Sequence, residues 1–213
     1  MKLIEALVTL VLLAIAVPIG AQVPFERILD AGSEPESWLT YSGTYTAQRY
    51  STLDQINRDN VAQLQAARIY QTRSTQKFEV SPLVVDGVMY ITEPPSDATA
   101  LDLRTGRPIW QYRRSLPQGI ITCCGQVNRG VALLDDQVFL GTVDAHLVAL
   151  DARTGQVRWD VEVAEYSEGY AITVAPLALD NKIIVGISGG EYGIRGFLDA
   201  YDPQTGERLW RFW

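Results

Sequence analysis

The stretch ALDLRTGRPIW at residues 100–110 decides the fold, because it recurs as ALDARTGQVRW at residues 149–159 and as AYDPQTGERLW at residues 200–210. The tryptophans that end the three copies recur at a period of about 50 residues, which is typical of β-propeller blades. One blade is a four-stranded sheet that cannot bury its face alone and therefore stacks on a neighbour. The sequence thus predicts an all-β chain with about three propeller blades.

Two apolar runs separated by a polar turn precede each copy of the repeat. The turn residues are Asp-Gly, Asp-Asp and Asp-Asn, which tolerate positive φ, and the flanking Val, Ile and Phe favour strands. We therefore expect each unit to begin with a β-hairpin. The three hairpin stretches are LVVDGVMYI (83–91), ALLDDQVFLG (132–141) and LALDNKIIVGI (177–187).

Within each copy, a Thr-Gly pair is expected to turn the chain from the third strand into the fourth, because glycine adopts backbone geometry that a β-carbon resists. The tryptophan that follows is expected to pack between neighbouring blades, where a large ring buries much apolar area. A ligand-binding aromatic site is the less favoured interpretation for a residue repeated so regularly. Trp110, Trp159 and Trp210 are therefore predicted to be structural.

The number of repeats is smaller than a closed propeller needs, since such rings contain about four to eight blades. A terminal sheet without a neighbour would present a bare edge, which invites association. We therefore expect residues 22–213 to be the N-terminal, incomplete part of a propeller domain in a longer polypeptide.

Composition and charge narrow the class of protein. With 47% hydrophobic and 20% charged residues, the chain has the composition of a folded globular protein, and a disordered chain is excluded. The net charge is −7, and no basic run is present. Nucleic-acid binding is therefore not expected, because it depends on a clustered positive field.

The N-terminus has the features of an export signal. Lys2 is followed by an apolar stretch over residues 6–19 and then by the small residues Gly20 and Ala21. The stretch is shorter than the roughly 20 residues that span a bilayer, so we favour a cleaved signal peptide at residues 1–21 over an uncleaved anchor. The mature chain is then expected in the periplasm, and the presence of two cysteines agrees with an oxidising compartment.

The segment before the repeats carries weaker signals. Residues 38–51, WLTYSGTYTAQRYS, are rich in aromatic residues and threonine and predict strand and turn. Asp59 and Asn60 precede residues 61–64 and are expected to start a short helix there.

Two adjacent cysteines, Cys123 and Cys124, stand in ITCCGQVNRG at residues 121–130. Neighbouring Cα atoms lie about 3.8 Å apart, below the usual disulfide range of about 4.4 to 6.8 Å, so a bond between them would close a strained ring. Strain of this kind tends to be kept at functional sites. Two unlinked buried thiols are an equally acceptable interpretation of the dipeptide alone.

Together, the repeat and CCGQVNRG make residues 38–213 resemble the N-terminal part of the pyrroloquinoline quinone (PQQ) dependent alcohol dehydrogenases, the quinoprotein methanol and ethanol dehydrogenase family. The resemblance implies an eight-bladed propeller with a tryptophan-docking motif in each blade. It also implies that Cys123 and Cys124 form a disulfide ring against one face of the quinone, and that Arg129 contacts the cofactor. A guanidinium suits a ligand with several carboxylates.

Two further segments match the family. FEVSPLVVDG at residues 78–87 resembles the first cofactor segment and makes Glu79 a cofactor-binding residue. AITVAPL at residues 171–177 matches the Thr-x-Ala-Pro pattern of the family and makes Thr173 a hydroxyl donor to the quinone. Without the resemblance, Glu79 would be interpreted as a solvated acid and Thr173 as a strand residue.

GISGGEYGIRG at residues 186–196 is the second strong match. By resemblance, Ser188, Gly189 and Gly190 line the cofactor and Glu191 binds a metal ion. Glycines let the backbone approach a flat ligand, and a carboxylate suits a hard cation such as Ca²⁺, although the family also uses lanthanides. His146, the only histidine, has no ligand-type companion in sequence and is given no catalytic role.

The resemblance implies oxidation of an alcohol to an aldehyde or ketone, with hydride transfer to the quinone and a cytochrome c or quinone as the next electron acceptor. The catalytic base, a second metal ligand and the aromatic residue beneath the quinone belong to later blades. We therefore expect residues 22–213 alone to be inactive and no catalytic residue to lie in this chain. The alternative is a non-catalytic periplasmic propeller that binds other proteins, although such a scaffold has no need of the cysteine pair or of Ser-Gly-Gly-Glu.

Overall fold

The computed structural model describes residues 22–123 and 125–213, so the predicted signal peptide lies outside the described residues. The repeat region forms three antiparallel sheets of four strands, and each sheet is built from strands consecutive in sequence. The all-β prediction of about three blades is confirmed. The first sheet contains β1 (Leu83–Val85), β2 (Val88–Glu93), β3 (Asp97–Asp102) and β4 (Arg107–Tyr112).

The second and third sheets repeat this order with only small changes in strand length. The second sheet contains β5 (Val131–Leu134), β6 (Gln137–Gly141), β7 (His146–Asp151) and β8 (Val157–Glu162). The third sheet contains β9 (Leu177–Leu179), β10 (Lys182–Gly186), β11 (Leu198–Tyr201) and β12 (Arg208–Phe212).

The predicted hairpins open each sheet, with an aspartate in the left-handed region. φ is +50° at Asp86, +52° at Asp135 and +55° at Asp180. Aspartate tolerates this region better than most residues with a β-carbon. The turn chemistry read from sequence is therefore confirmed.

The Asp-x-x-Thr-Gly spacing that recurs in the three copies forms the turn between the third and fourth strands. In the second sheet, Asp151 Oδ1 accepts hydrogen bonds from the backbone N–H of Arg153 (3.1 Å) and of Thr154 (2.8 Å). Gly155 then adopts φ +71°. Asp102 in the first sheet and Asp202 in the third accept the equivalent backbone hydrogen bonds in their turns.

The tryptophans of the first two sheets pack on the next sheet, as predicted. The indole Nε1–H of Trp110 donates to the carbonyl of Ala152 at 2.9 Å, and that of Trp159 donates to Pro203 at 2.9 Å. A β-carbon on Gly155 would lie 2.7 Å from the Trp110 ring, so only glycine permits this close approach. Trp210 ends the series and is 42% exposed.

The segment before the repeats differs in part from expectation. It contains α1 (Phe25–Leu29) and short 3₁₀ helices at Ala31–Ser33 and Val61–Gln63, the last confirming the helix predicted after Asn60. Residues 38–51, however, form turns and a single bridge from Trp38 to Val84, so the predicted strand is wrong there. Among the described residues before the repeats, the backbone pairs with the second sheet only at Val23 and with the first sheet only at Trp38.

Three contacts show how residues 22–45 tie the sheets together. Val23 pairs with Asp135 of the second sheet, Trp38 pairs with β1, and the Tyr45 hydroxyl donates to the carbonyl of Ala178 in the third. Because β1 and β9 are edge strands, these contacts cover edges that would otherwise be unpaired. In the part of the chain that the structure describes, no helix is long and apolar enough to cross a membrane.

Candidate functional site

Apart from Glu79, which precedes β1, the predicted cofactor residues come from three irregular segments that connect the strands. The segments are residues 113–130 between β4 and β5, 163–176 between β8 and β9, and 187–197 between β10 and β11. They meet around an open cavity of about 210 Å³. Six predicted site residues line it: Cys123, Arg129, Thr173, Ser188, Gly189 and Glu191.

Arg129 is the main cationic group of the cavity. Its Nη1 donates to the Thr173 hydroxyl at 2.9 Å and to the Thr173 carbonyl at 3.2 Å, while Nη2 pairs with Glu79 at 2.7 Å. The guanidinium is thus held on two sides. Glu79 is not among the residues that line the cavity and is joined to it through this ion pair with Arg129.

Glu79 is shared between two cations. Lys77 Nζ lies 2.5 Å from its Oε1, and Arg129 approaches its Oε2. The hydrogen bond from Lys77 lowers the pKa of Glu79 below its ordinary value, and the charge of Arg129 adds to this effect. Glu79 therefore stays ionised and keeps Arg129 oriented at neutral pH.

Ser188 joins the second and third segments at the cavity. Its backbone N–H and carbonyl both pair with Ala171, at 2.8 and 3.1 Å, and its hydroxyl donates to the Ala171 carbonyl at 2.8 Å. The hydroxyl thus helps to fix the strand-like pairing, while its oxygen keeps an acceptor position open to a ligand.

Gly189 shows why the Ser-Gly-Gly-Glu segment needs glycine. It adopts φ +124°, and a β-carbon there would collide with the carbonyl oxygen of Gly169. Gly169 itself adopts φ +99° at the end of a 3₁₀ helix, Tyr166–Glu168. Two backbones therefore meet without intervening side chains, and this brings residues 188–191 to the cavity.

Glu191 and Gly190 lie in a short 3₁₀ helix, Gly190–Tyr192. Glu191 is exposed at the cavity, and Gly190 stands beside it without lining the space. Among the described residues, no three His, Cys, Asp or Glu side chains are arranged to hold a metal ion. Glu191 is the one carboxylate among the described residues that line the cavity, and its role as a metal ligand stays a prediction.

The cysteine pair is described in part. Cys123 is exposed and lines the cavity, whereas Cys124 lies outside the described residues. The disulfide between them stays a prediction. His146 is not among the residues that line the cavity; it begins β7, and its Nδ1 lies 2.7 Å from Asp160 Oδ1.

The structure adds residues that sequence reasoning missed. Gly169 and Tyr192 line the cavity, and the Tyr192 side chain packs on Gly169. Gly169 lies four residues before Thr173, and a lone glycine at such a position is too common to indicate a functional site. The other additional lining residues are Ile121, Thr122, Gly125, Val127 and Ala171.

These groups suit a flat, anionic ligand. Arg129 supplies positive charge, Thr173 and Ser188 supply hydroxyl oxygens, and Gly189 lines the cavity without a side chain. A guanidinium binds carboxylates with charge-assisted hydrogen bonds, which are stronger than neutral ones. A quinone that carries several carboxylates fits this donor set.

Comparison with known proteins gives a consistent result. The chain is 43% identical to the quinohemoprotein alcohol dehydrogenase ADH-IIG of Pseudomonas putida over 203 residues, which is 94% of this chain and 28% of that protein. It is also 43% identical to the quinoprotein alcohol dehydrogenase PedH of Pseudomonas putida, covering 89% of this chain and 32% of the relative.

Solved structures agree with these relatives. The quinohemoprotein alcohol dehydrogenase ADHIIG from Pseudomonas putida superposes with a TM-score of 0.85 at 44% identity, over 91% of this chain and 29% of that one. A europium-containing methanol dehydrogenase superposes with a TM-score of 0.84 at 38% identity, over 87% of this chain and 33% of that one. The chain therefore spans about a third of the length of the proteins it matches.

The sequence profile described as "PQQ: Glucose/ethanol/alcohol dehydrogenase, beta-propeller domain" matches residues 38–213. That range contains all three sheets and every described residue of the candidate site. The match covers most of the chain, and the fold and cavity agree with it. The chain belongs to the PQQ-dependent glucose/ethanol/alcohol dehydrogenase β-propeller family.

Proposed function

We propose that this chain provides one side of the PQQ site of an enzyme that oxidises alcohols to aldehydes or ketones. The observation that carries the proposal is the cavity in which Arg129, Thr173, Ser188 and Glu191 converge from separate segments. A non-catalytic scaffold would need the docked tryptophans but not this convergence. The names of the relatives, all alcohol dehydrogenases, support the same assignment.

Arg129 and Thr173 would hold the carboxylate groups of PQQ, and the backbone around Gly189 would lie against its edge. Cys123 lines the cavity, and a ring closed with Cys124 would pack on one face of the cofactor. When bound, PQQ supplies a quinone carbonyl that accepts the hydride of the alcohol. The residues of this chain bind and orient that group, and the catalytic base is expected from parts of the protein outside it.

Glu191 would be one ligand of a metal ion beside the cofactor. A carboxylate is a ligand type for Ca²⁺, and the relation to a europium-containing enzyme makes a lanthanide the second choice. A bound cation of either kind acts as a Lewis acid on a carbonyl oxygen. Since Glu191 is the one carboxylate among the described lining residues, the remaining ligands would come from the cofactor and from residues beyond this lining.

The location and the electron acceptor follow from the same proposal. A cleaved signal peptide at residues 1–21 would deliver the protein to the periplasm, where a disulfide between Cys123 and Cys124 is stable. A cytochrome c or a quinone would then take the electrons. Residues 22–213 alone would turn over no alcohol.

Reconstitution tests the proposed function. The natural full-length protein, freed of metal and cofactor, should oxidise a primary alcohol with an artificial electron acceptor only when both PQQ and Ca²⁺ or a lanthanide are added. Glu191→Ala should abolish the metal-dependent turnover, because the site loses its one carboxylate from this chain. The control Glu207→Ala changes an exposed acid in the turn before β12 and should leave turnover unchanged.

Three results would contradict the proposal. Turnover that needs no PQQ would exclude the assigned cofactor, and unchanged metal dependence in Glu191→Ala would exclude the ligand role. Measurable alcohol-dependent turnover by residues 22–213 alone would refute the view that the site is completed elsewhere.

A further inference from the structure

Asn128 stands directly before Arg129 but does not line the cavity. Its side chain is fully buried, at 0% exposure. A carboxamide has two N–H donors and one carbonyl acceptor, and burying them without partners costs free energy. The contacts of Asn128 therefore show what this polar group does inside the protein.

The Asn128 carboxamide joins the site segment to the second sheet. Its Nδ2 donates to the carbonyl of Gly141, the last residue of β6, at 2.8 Å. Its Oδ1 accepts from the backbone N–H of Gly130 at 3.0 Å. The side chain thus closes a tight turn around Arg129 and anchors that turn to a regular strand.

The backbone of Arg129 is held from two further directions. Its N–H donates to the Thr173 carbonyl at 3.2 Å, and its own carbonyl accepts from the N–H of Ser81 at 3.1 Å. Gly130 follows with φ +129°, and a β-carbon on it would lie 3.1 Å from the Ser81 carbonyl. These contacts and the Asn128 carboxamide together hold the turn in one position.

We propose that Asn128 is a positioning residue that sets the direction in which the Arg129 guanidinium enters the cofactor cavity. The inference rests on the proposed function, because it assigns Asn128 a role in PQQ binding through Arg129. Loss of the carboxamide would leave the Gly130 N–H and the Gly141 carbonyl without partners in a buried place, and the turn would move to satisfy them. Arg129 would then lose its alignment with Glu79 and Thr173.

Asn128→Asp is the sharpest single change. It keeps the shape and the acceptor for Gly130 but replaces the donor that faces the Gly141 carbonyl. Asn181→Asp is the matched control, since it makes the same charge change at an exposed turn between β9 and β10. PQQ alone is titrated into the natural full-length protein, freed of cofactor, and tryptophan fluorescence reports the dissociation constant.

We expect Asn128→Asp to raise the dissociation constant of PQQ roughly 10- to 100-fold, the range found when the partners behind a metal ligand are removed. Asn181→Asp should leave it unchanged. An unchanged constant in Asn128→Asp overturns the inference.

A double-mutant cycle separates positioning from general damage. In an Arg129→Leu background, Asn128→Asp should have little further effect on PQQ binding, because the group that it positions is absent. The same fold-change in both backgrounds overturns the inference. If Asn128→Asp does not fold, Asn128→Ser, whose hydroxyl can still accept from Gly130, takes its place in the cycle. Failure of the unmodified protein to bind PQQ contradicts the proposed function itself, and the inference with it.

Discussion

Trp159 and Trp210 occupy the same position in the repeat but have different surroundings. Both lie opposite an alanine across the third and fourth strands, Ala149 and Ala200, and a bulge follows in each sheet. Trp159 packs on the next sheet and bonds Pro203, whereas Trp210 is 42% exposed. The difference shows that the repeat determines the strand geometry, while burial of its tryptophan depends on the next sheet.

The exposed face of the third sheet extends beyond Trp210. Phe212, on the same side of β12, is 69% exposed, and Leu198 of β11 is 46% exposed. In the second sheet the equivalent of Leu198 is Leu147, which is fully buried. Since exposed apolar patches of this kind mark contact surfaces, a further sheet of the same type is expected to cover this face in the natural protein.

The largest effect is expected from removing a docked tryptophan. In the 213-residue chain, Trp110→Ala should lower the free energy of unfolding by about 3 to 5 kcal/mol, because a large buried ring and its hydrogen bond to Ala152 are lost. Trp210→Ala should cost less than about 1 kcal/mol, since its ring has no sheet to pack on. Urea unfolding monitored by circular dichroism gives both values. Equal losses would show that the tryptophans act within their own sheets.

A smaller effect is expected from the glycine that receives the tryptophan. Gly155→Ala should lower the free energy of unfolding by about 2 to 4 kcal/mol, because the methyl group meets the Trp110 ring and φ is +71°. Gly87→Ala is the control, with φ +75° but no atom within 4 Å of the added carbon. It should cost only about 1 kcal/mol. Urea unfolding compares the two variants. Equal losses of unfolding free energy would show that the positive φ, and not the contact with Trp110, is the reason for glycine at residue 155.

The smallest effect concerns the aspartates that hold the Thr-Gly turns. Burial opposes ionisation of Asp151, but hydrogen bonds from Arg158 and Thr154 outweigh it and lower its pKa to about 2. A carboxyl group whose pKa is lower in the folded chain stabilises the fold at pH values above its pKa in the unfolded chain, which is near 4. This stabilisation is lost as the pH falls through the folded-state pKa of about 2. Asp151→Asn should therefore cost about 1 kcal/mol at pH 7 and clearly less at pH 2, where about half of the Asp151 carboxyl groups in the folded chain are protonated.

Asp202 provides the comparison in the third sheet. Hydrogen bonding from the Thr205 backbone lowers its pKa, but no arginine contacts its carboxylate among the described residues. Asp202→Asn should therefore destabilise the chain less than Asp151→Asn in urea unfolding across this pH range. A larger effect of Asp202→Asn would show that Arg158 adds nothing to the turn of the second sheet.

Local features of this chain were predictable because they depend on neighbours in sequence. The hairpin turns at Asp86, Asp135 and Asp180 follow from residues that accept positive φ, and the strands follow from the apolar runs beside them. The strand predicted for residues 38–51 was wrong, because backbone pairing there depends on distant sheet edges that a local pattern does not report.

The site was predictable only in part. Arg129, Thr173, Ser188 and Glu191 were identified through family resemblance, and the structure places them around one cavity. Glu79 forms an ion pair with Arg129 at 2.7 Å, and its contact with the cofactor stays a prediction. Gly169 escaped notice because its importance comes from the close approach of Gly189, a contact between segments 20 residues apart.

The sequence by itself determined the repeat, the strands, the turn residues and the family, because each depends on short-range spacing or on a motif. Only the tertiary structure decided which tryptophans are covered, which side chains face the cavity and which polar group anchors Arg129. Those properties arise where segments distant in sequence meet, and the free energy of such contacts depends on distances that no local pattern contains.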